Sequence, residues 1–285
     1  MNIFILSRNK NLYSTSRLLE VGQKRGHIIR VIDYMRCYMN ITSRKPMVYY
    51  GGESLGKPDA VIPRIGATNT FYGTAVVRQF EMMNSYCVNS SVSISNSRDK
   101  LRSLQILAKA GINMPVTGFA SHTKDIEGVI ETVGSIPLIM KLLQGTQGQG
   151  IVLAETKKAA ESVMSAFRQL DADIMIQEFI KESSGTDIRA FVVGNRVIAA
   201  MERTAPDGEF RSNVHRGGRI EKITLTNEEI NIVTKASNIL GLSVAGVDLM
   251  RSDRGPLILS LIHISEPTRR YASSGSGVGL EKKVG

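Results

Sequence analysis

Lys141 lies inside the apolar run LIMKLL (138–143), and the glycine-rich stretch QGTQGQG (144–150) follows at once. A lysine flanked in this way either faces solvent or meets an anion, because burying its charge without a partner is costly. Gly145, Gly148 and Gly150 favour the anion: glycine lets backbone N–H groups approach phosphate oxygens closely, and the lysine adds a point charge. The pattern is not a P-loop, since no Gly-Lys-Ser/Thr follows and the loop joins two strands. A surface turn therefore competes with a phosphate cradle.

Asp248 sits in VAGVDLM (244–250), where a lone carboxylate is expensive. One partner for it is a magnesium ion shared with nucleotide phosphates, because Mg²⁺ takes oxygen ligands and keeps one or two carboxylates. The other is an arginine salt bridge. Glu178 closes a strand-like IQE, where the backbone can meet an adenine edge or the side chain can simply be solvated. Asp187 and Arg189 come next. EFRSNVHRGG (209–218) then brings Arg211, Asn213, His215 and Arg216 beside two glycines, which suits an anion site or an exposed basic loop.

These residues need a scaffold, and hydrophobic periodicity supplies it. NIFIL (2–6), HIIRVID (27–33) and DAVIPRIG (59–66) read as strands, with helices over 15–26 and 71–84 between and after them. Strands alternating with helices imply a parallel sheet covered on both faces, so residues 1–95 form a small doubly wound α/β domain. The polar NSSVSISNS (89–97) reads as a linker. Beyond it the pattern is α+β. Helices span 98–111 and 125–134, strands 115–120, 137–143, 151–155 and 173–180. Thr156 caps a helix whose Ala160, Val163, Met164, Phe167 and Leu170 form one stripe. Residues 187–203 read as a hairpin turning at Gly194-Asn195, and Thr226 with Glu229 as a capping box for a helix stopping at Gly241.

The chain has 285 residues and a net charge of +10, which favours acidic partners such as nucleotide phosphates, a Glu-rich peptide or RNA. No window approaches a membrane span, and the first residues do not read as a secretory signal. Cys37 and Cys87 lack metal-ligand spacing and read as reduced thiols, which places the protein in the cytoplasm.

Taken in order, Lys100, Lys141 with its glycine loop, QEF, DIR, FRSN and GVDLM resemble the ATP-grasp superfamily. More narrowly the chain is similar to the RimK-type glutamate ligases from residue 1 to about 258, through AVIPRIG, FYGTA, RQFEM, RDKLRS, MPVTG, KLLQGTQG, GTDIR, FRSN, HRGG and AGVD. The resemblance implies an ATP-grasp domain over 96–258 behind a pre-ATP-grasp domain over 1–95. It implies that Lys100, Lys141 and the loop of Gly145, Gly148 and Gly150 hold the ATP phosphates, that the backbone of Glu178 and Phe179 meets adenine, and that Asp187 meets ribose. Arg211, Ser212 and Asn213 would line the triphosphate, Arg203 and Arg211 would stabilise charge during transfer, and Asp248 would be a ligand to magnesium or manganese, with two ions in the intact enzyme. The implied partners are ATP, L-glutamate and the acidic C-terminal peptide of a small-subunit ribosomal protein, in a homo-oligomer with no membrane attachment.

One stretch departs from the family. Relatives continue GPLIL (255–259) into Glu-x-Asn, but Ser260 and Ile262 stand at those places, and neither can bridge metal ions. LSLIHISEPTR (259–269) looks like the direct translation of a sequencing-library adapter, so 259–285 reads as a foreign tail on an impaired ligase. Two other readings remain. One is an ATP-grasp amino-acid ligase with a carrier-protein, deazaflavin-cofactor or peptide acceptor. The other is a non-catalytic nucleotide or RNA binder.

Overall fold

A computed structural model describes residues 1–120, 125–134, 136–143, 150–168, 173–183, 185–206, 209–210 and 218–263. The first unit runs β1 (Asn2–Leu6), α1 (Tyr13–Lys24), β2 (Ile28–Ile32), β3 (Cys37–Asn40), β4 (Met47–Tyr50), β5 (Glu53–Ser54), β6 (Ala60–Pro63), α2 (Thr70–Met82) and β7 (Tyr86–Cys87). β2-β1-β6-β7 form a parallel sheet in that order, the doubly wound arrangement that alternation predicts. Phe4, Leu6, Ile32, Val61, Val76, Val77 and Phe80 are buried between sheet and helices. α1 approaches β2 closely at Gly22, where a Cβ would lie 1.8 Å from Ile29 Cδ1. β3, β4 and β5 make a small antiparallel sheet beside this core.

Residues 89–97 are not a linker. α3 (Ser91–Arg98) occupies them, capped by Ser90, whose hydroxyl accepts from the Ser93 N–H. Ser91, Ser93, Ile94 and Ser97 are buried, so tertiary packing makes a helix of a serine-rich string that composition alone reads as loop. α4 (Lys100–Lys109) follows directly, with Asp99 as its cap.

The second unit adds β8 (Thr117–Ala120), α5 (Ile126–Val133), β9 (Leu138–Leu142), β10 (Ile151–Ala154), α6 (Lys157–Arg168) and β11 (Ile174–Glu178). The sheet order β10-β9-β11-β8 is antiparallel throughout. The face carrying Leu138, Met140, Ile174 and Ile176 packs against Ile130 and Val133 of α5 and Ala160 and Met164 of α6. Thr156 caps α6 through the Ala159 N–H; Leu170 and the Phe167 side chain lie outside the described residues.

β12 (Thr186–Val193), β13 (Arg196–Thr204), β14 (Arg219–Lys222), α7 (Asn227–Ile239), β15 (Val244–Ser252) and β16 (Gly255–His263) complete the fold. Their antiparallel sheet has the order β14-β13-β12-β15-β16. Ile188, Ala190, Val192, Val247 and Leu249 face α4 and α7. The hairpin turns at Gly194, φ +56°, and Thr226 and Glu229 form the reciprocal capping box of α7. β16 runs through the expected break at Leu259, which is the extra residue of a bulge between the Asp248–Ser260 and Leu249–Ile258 pairs. At its end buried His263 meets Asn89, whose amide also exchanges two hydrogen bonds with the backbone of Val244, so β15 and β16 are tied to the segment entering α3. No described helix is long and apolar enough to cross a membrane.

Candidate functional site

Strand alternation decides which way Lys141 points. Met140 and Leu142 face the α5/α6 core, so Ile139 and Lys141 stand on the opposite face of the sheet, together with Met175 and Gln177 of β11. Lys141 is half-buried there, and its Nζ donates to Gln177 Oε1 at 2.6 Å. Lys100, at the first turn of α4, donates to the Leu142 carbonyl at 3.2 Å. Burial, and next the like charge of Lys100, push Lys141 down to about 8, against the pull of Asp248 and Asp187. Burial also lowers Lys100. Two ammonium groups thus converge where, among the described residues, no carboxylate bonds Lys141 directly. Gly150, φ +74°, closes the loop against Leu142; Gly145 and Gly148 lie outside the described residues.

The five-stranded sheet presents an ionic row on the face opposite its core. Arg203 Nε and Nη2 donate to the two oxygens of Asp187 at 2.6 and 2.7 Å, and Nη2 lies 3.2 Å from Asp248. Arg189 grips both oxygens of Asp248 at 2.7 Å each. Register accounts for the row: Asp187 pairs with Arg203, and Asp248 stands between Arg189 on β12 and Ser260 on β16. Burial opposes the charge of Arg203, but Asp248 and Asp187 outweigh it and hold its pKa above the ordinary value. Burial likewise opposes the charge of Asp248, and Arg189 and Arg203 nonetheless keep its carboxyl below the usual range.

The arginine weighed as a partner for Asp248 is Arg189, with Arg203 beside it. The Asp248 carboxylate and the Ser260 hydroxyl, 3.3 Å away, are oxygen donors of the kind that would share a magnesium ion with phosphate oxygens. Among the described residues no three His, Cys, Asp or Glu side chains cluster to hold a metal, and Ile262, opposite Gly246, offers no donor.

Glu178 is not a solvated strand end. Its Oε1 accepts from the Val116 N–H at 2.9 Å and is bonded by Arg254 from the β15–β16 turn. Arg211, Ser212 and Asn213, like His215 and Arg216, lie outside the described residues. Sequence reading missed the roles of Gln177, Thr117 and Arg254, and left Arg189 without a partner.

Two β-rich sheets with a lysine on one and an ionic row on the other, behind a parallel α/β domain, define a fold shared with solved structures. The ATP-grasp ligase PsnB complexed with minimal precursor superposes with a TM-score of 0.70 at 22% identity, over 94% of this chain and 91% of that one. A RimK domain ATP-grasp protein from Sphaerobacter thermophilus gives 0.70 at 19%, over 93% and 92%. The fold is therefore ATP-grasp. A family model described as RimK PreATP-grasp domain matches residues 1–94, and one described as RimK-like ATP-grasp domain matches 97–284. The chain belongs to the RimK ATP-grasp family, and by family it is an ATP-dependent acid–amino-acid ligase. It is 60% identical over 286 residues to a probable alpha-L-glutamate ligase of Aliivibrio fischeri, covering 100% of this chain and 91% of the relative. It is 57% identical over 284 residues to one from a Picosynechococcus species, covering 100% and 94%.

Proposed function

We propose that the protein's cleft binds ATP with magnesium and that its reaction joins L-glutamate to a peptide carboxylate, the acceptor being the acidic C-terminus of a small-subunit ribosomal protein. The observation that carries the reading is the meeting of Lys141 and Lys100 with the Asp187–Arg203–Asp248–Arg189 row. Four cationic groups around two carboxylates leave net positive charge for a triphosphate. Lys100, Lys141 and the loop of Gly145, Gly148 and Gly150 would hold phosphates, with Arg211, Ser212 and Asn213 beside them. The backbone of Glu178 and Phe179 would meet adenine, and Asp187 would share its oxygens between Arg203 and ribose.

In the first step a peptide carboxylate oxygen attacks the γ-phosphorus, the bond to the β-bridging oxygen breaks, and ADP leaves. In the second the amino group of glutamate attacks the acyl phosphate carbonyl, phosphate departs and the nitrogen loses a proton. A carboxylate is a poor electrophile, so activation drives amide formation. Arg203, and Arg211 with it, would neutralise charge as it spreads over the transferring oxygens, and positioning supplies much of the rest. Magnesium at Asp248, when bound, would polarise the phosphates.

The domain limits of 1–95, 96–258 and 259–285 belong to the same proposal, the last read as a foreign tail from its own residues although the RimK-like family model runs on to residue 284. Ser260 beside Asp248 favours a second reading for this chain, a nucleotide binder that turns over poorly. Both readings meet in one experiment: incubation with ATP, magnesium, labelled glutamate and a peptide ending in glutamates. The ligase adds label to the peptide and releases ADP; the impaired binder takes up ATP in calorimetry without either product. Absence of ATP uptake would remove both.

A further inference from the structure

We propose that Gln177 is the positioning residue of Lys141, its amide turned and locked by Thr117 so that only its oxygen faces the ammonium. Gln177 is 2% exposed, in register with Thr117 on one neighbouring strand and diagonal to Lys141 on the other. A buried amide can present either end, and a relay of hydrogen bonds selects one. The Thr117 hydroxyl spends its only hydrogen on the Pro115 carbonyl, at 2.9 Å. Its oxygen must therefore accept, and Gln177 Nε2 donates to it at 2.8 Å. Oε1 is then left for Lys141 Nζ, at 2.6 Å. The flipped amide would set its oxygen against a hydroxyl oxygen whose hydrogen is already spent and its N–H group against an ammonium, losing two hydrogen bonds in a buried place.

The choice of amide over carboxylate has a consequence. A neutral acceptor takes one of the three ammonium hydrogens and aims the others at the cleft without discharging the ion. A glutamate in its place would neutralise Lys141 and compete with phosphate. The charged groups facing Lys141 from other elements are Lys100 on α4, Asp187 on β12 and Asp248 on β15. Among the described residues its direct partner is neutral, so its depressed titration, near 8, stays close to the working range, and an incoming triphosphate supplies the charge that fixes the proton.

The inference rests on Lys141 being a phosphate ligand, so two readouts are needed. The first is the pH dependence of acylation of Lys141 by a small activated ester, which transfers its acyl group to the neutral amine and loses its alcohol, read by mass spectrometry without nucleotide on the whole chain, Gln177→Glu, Gln177→Leu and Thr117→Val. The titration should move up in Gln177→Glu and down in Gln177→Leu, with a smaller downward shift in Thr117→Val. An unchanged titration in correctly folded variants overturns the inference whatever ATP does. The second is calorimetric ATP affinity from about pH 6.5 to 9.5, where wild-type affinity should fall above pH 8 and Gln177→Leu should bind about tenfold more weakly, the worth of one charge-assisted hydrogen bond. Should acylation shift as described while wild type takes up no ATP, the nucleotide reading fails and the positioning of Lys141 by Gln177 stands.

Discussion

Arg203 donates to both carboxylate oxygens of Asp187, at 2.6 and 2.7 Å, and also reaches Asp248 at 3.2 Å. One guanidinium therefore crosslinks β12, β13 and β15 on the face turned away from the core. The planar fork matches a carboxylate in two-point contact, which an ammonium cannot do. Asp187, Arg203 and Asp248 are each under 9% exposed, so the row is a low-dielectric feature.

Arg203→Met should accordingly be among the most destabilising single changes in the molecule. Asp187 would remain buried after losing both bonds from the guanidinium, and breaking a buried pair from one side costs about 3–5 kcal/mol. Urea unfolding checks this. Arg203→Met combined with Asp187→Asn should recover part of the loss, because the buried charge that lost the guanidinium is then removed as well. A double variant no more stable than the single would show that packing, not charge, sets the cost.

Arg254→Ala offers a contrast. This arginine binds Glu178 from the β15–β16 turn, but its side chain is 53% exposed. Exposed pairs contribute about 0–1 kcal/mol, so global stability should barely change. The Val116 N–H still holds Glu178 Oε1, so the strand end should keep its place. ATP affinity within about twofold of wild type, by calorimetry, is the expected result; a loss beyond tenfold would make Arg254 part of the nucleotide site.

Much of this molecule is readable from local pattern, and the residues that are not show why. The parallel domain follows from alternation, α7 from its capping box, and the β12–β13 hairpin from Gly194-Asn195, because each signal lies within a few residues of its effect. Lys141 stands out because a charge interrupts an apolar strand. Gln177 does not, since its meaning comes from β8 and β9, sixty and thirty-six positions away in the chain at Thr117 and Lys141. Serines 91, 93 and 97 mislead for the same reason. Their burial against neighbouring elements, invisible in the string, outweighs a middling helix propensity. Asp248 is intermediate: the cost of burying it is legible, but which arginine offsets that cost depends on register with β12.

His263 should give stability a recognisable acid limb. Burial, then the positive charges of Arg98 and Arg64, push its pKa down to about 3 from the ordinary 6.5, so the ring is neutral in the fold. The unfolded chain takes up the proton below pH 6.5 while the native state does so only near 3. Unfolded molecules thus bind more protons in that window, and stability falls as pH drops, by up to about 1.4 kcal/mol per pH unit from this group. His263→Gln keeps an acceptor for the Asn89 amide, which donates toward the ring at 3.0 Å, but cannot titrate. The difference in urea midpoint between wild type and His263→Gln should widen in the variant's favour from pH 6 to 4. A constant difference would mean the ring is protonated in the fold.

The metal role proposed for Asp248 can be probed by introducing the residues that the family resemblance implies. Ser260 pairs in register with Asp248, and Ile262 with Gly246, so Ser260→Glu with Ile262→Asn puts a carboxylate and an amide on the face that carries Asp248. Without metal, the new carboxylate stands beside a buried one, and like charges across a strand pair are destabilising. The double variant should therefore melt lower than wild type in a chelating buffer and regain the difference in magnesium, whereas wild type should respond little to the metal. Arg189 still occupies both oxygens of Asp248 at 2.7 Å, and a metal must displace part of that fork. Glutamate-dependent ADP release is therefore expected to stay low in the double variant. Strong release would mean that Ser260 and Ile262 were the only defects, and that the segment beyond β16 imposes no further limit on catalysis.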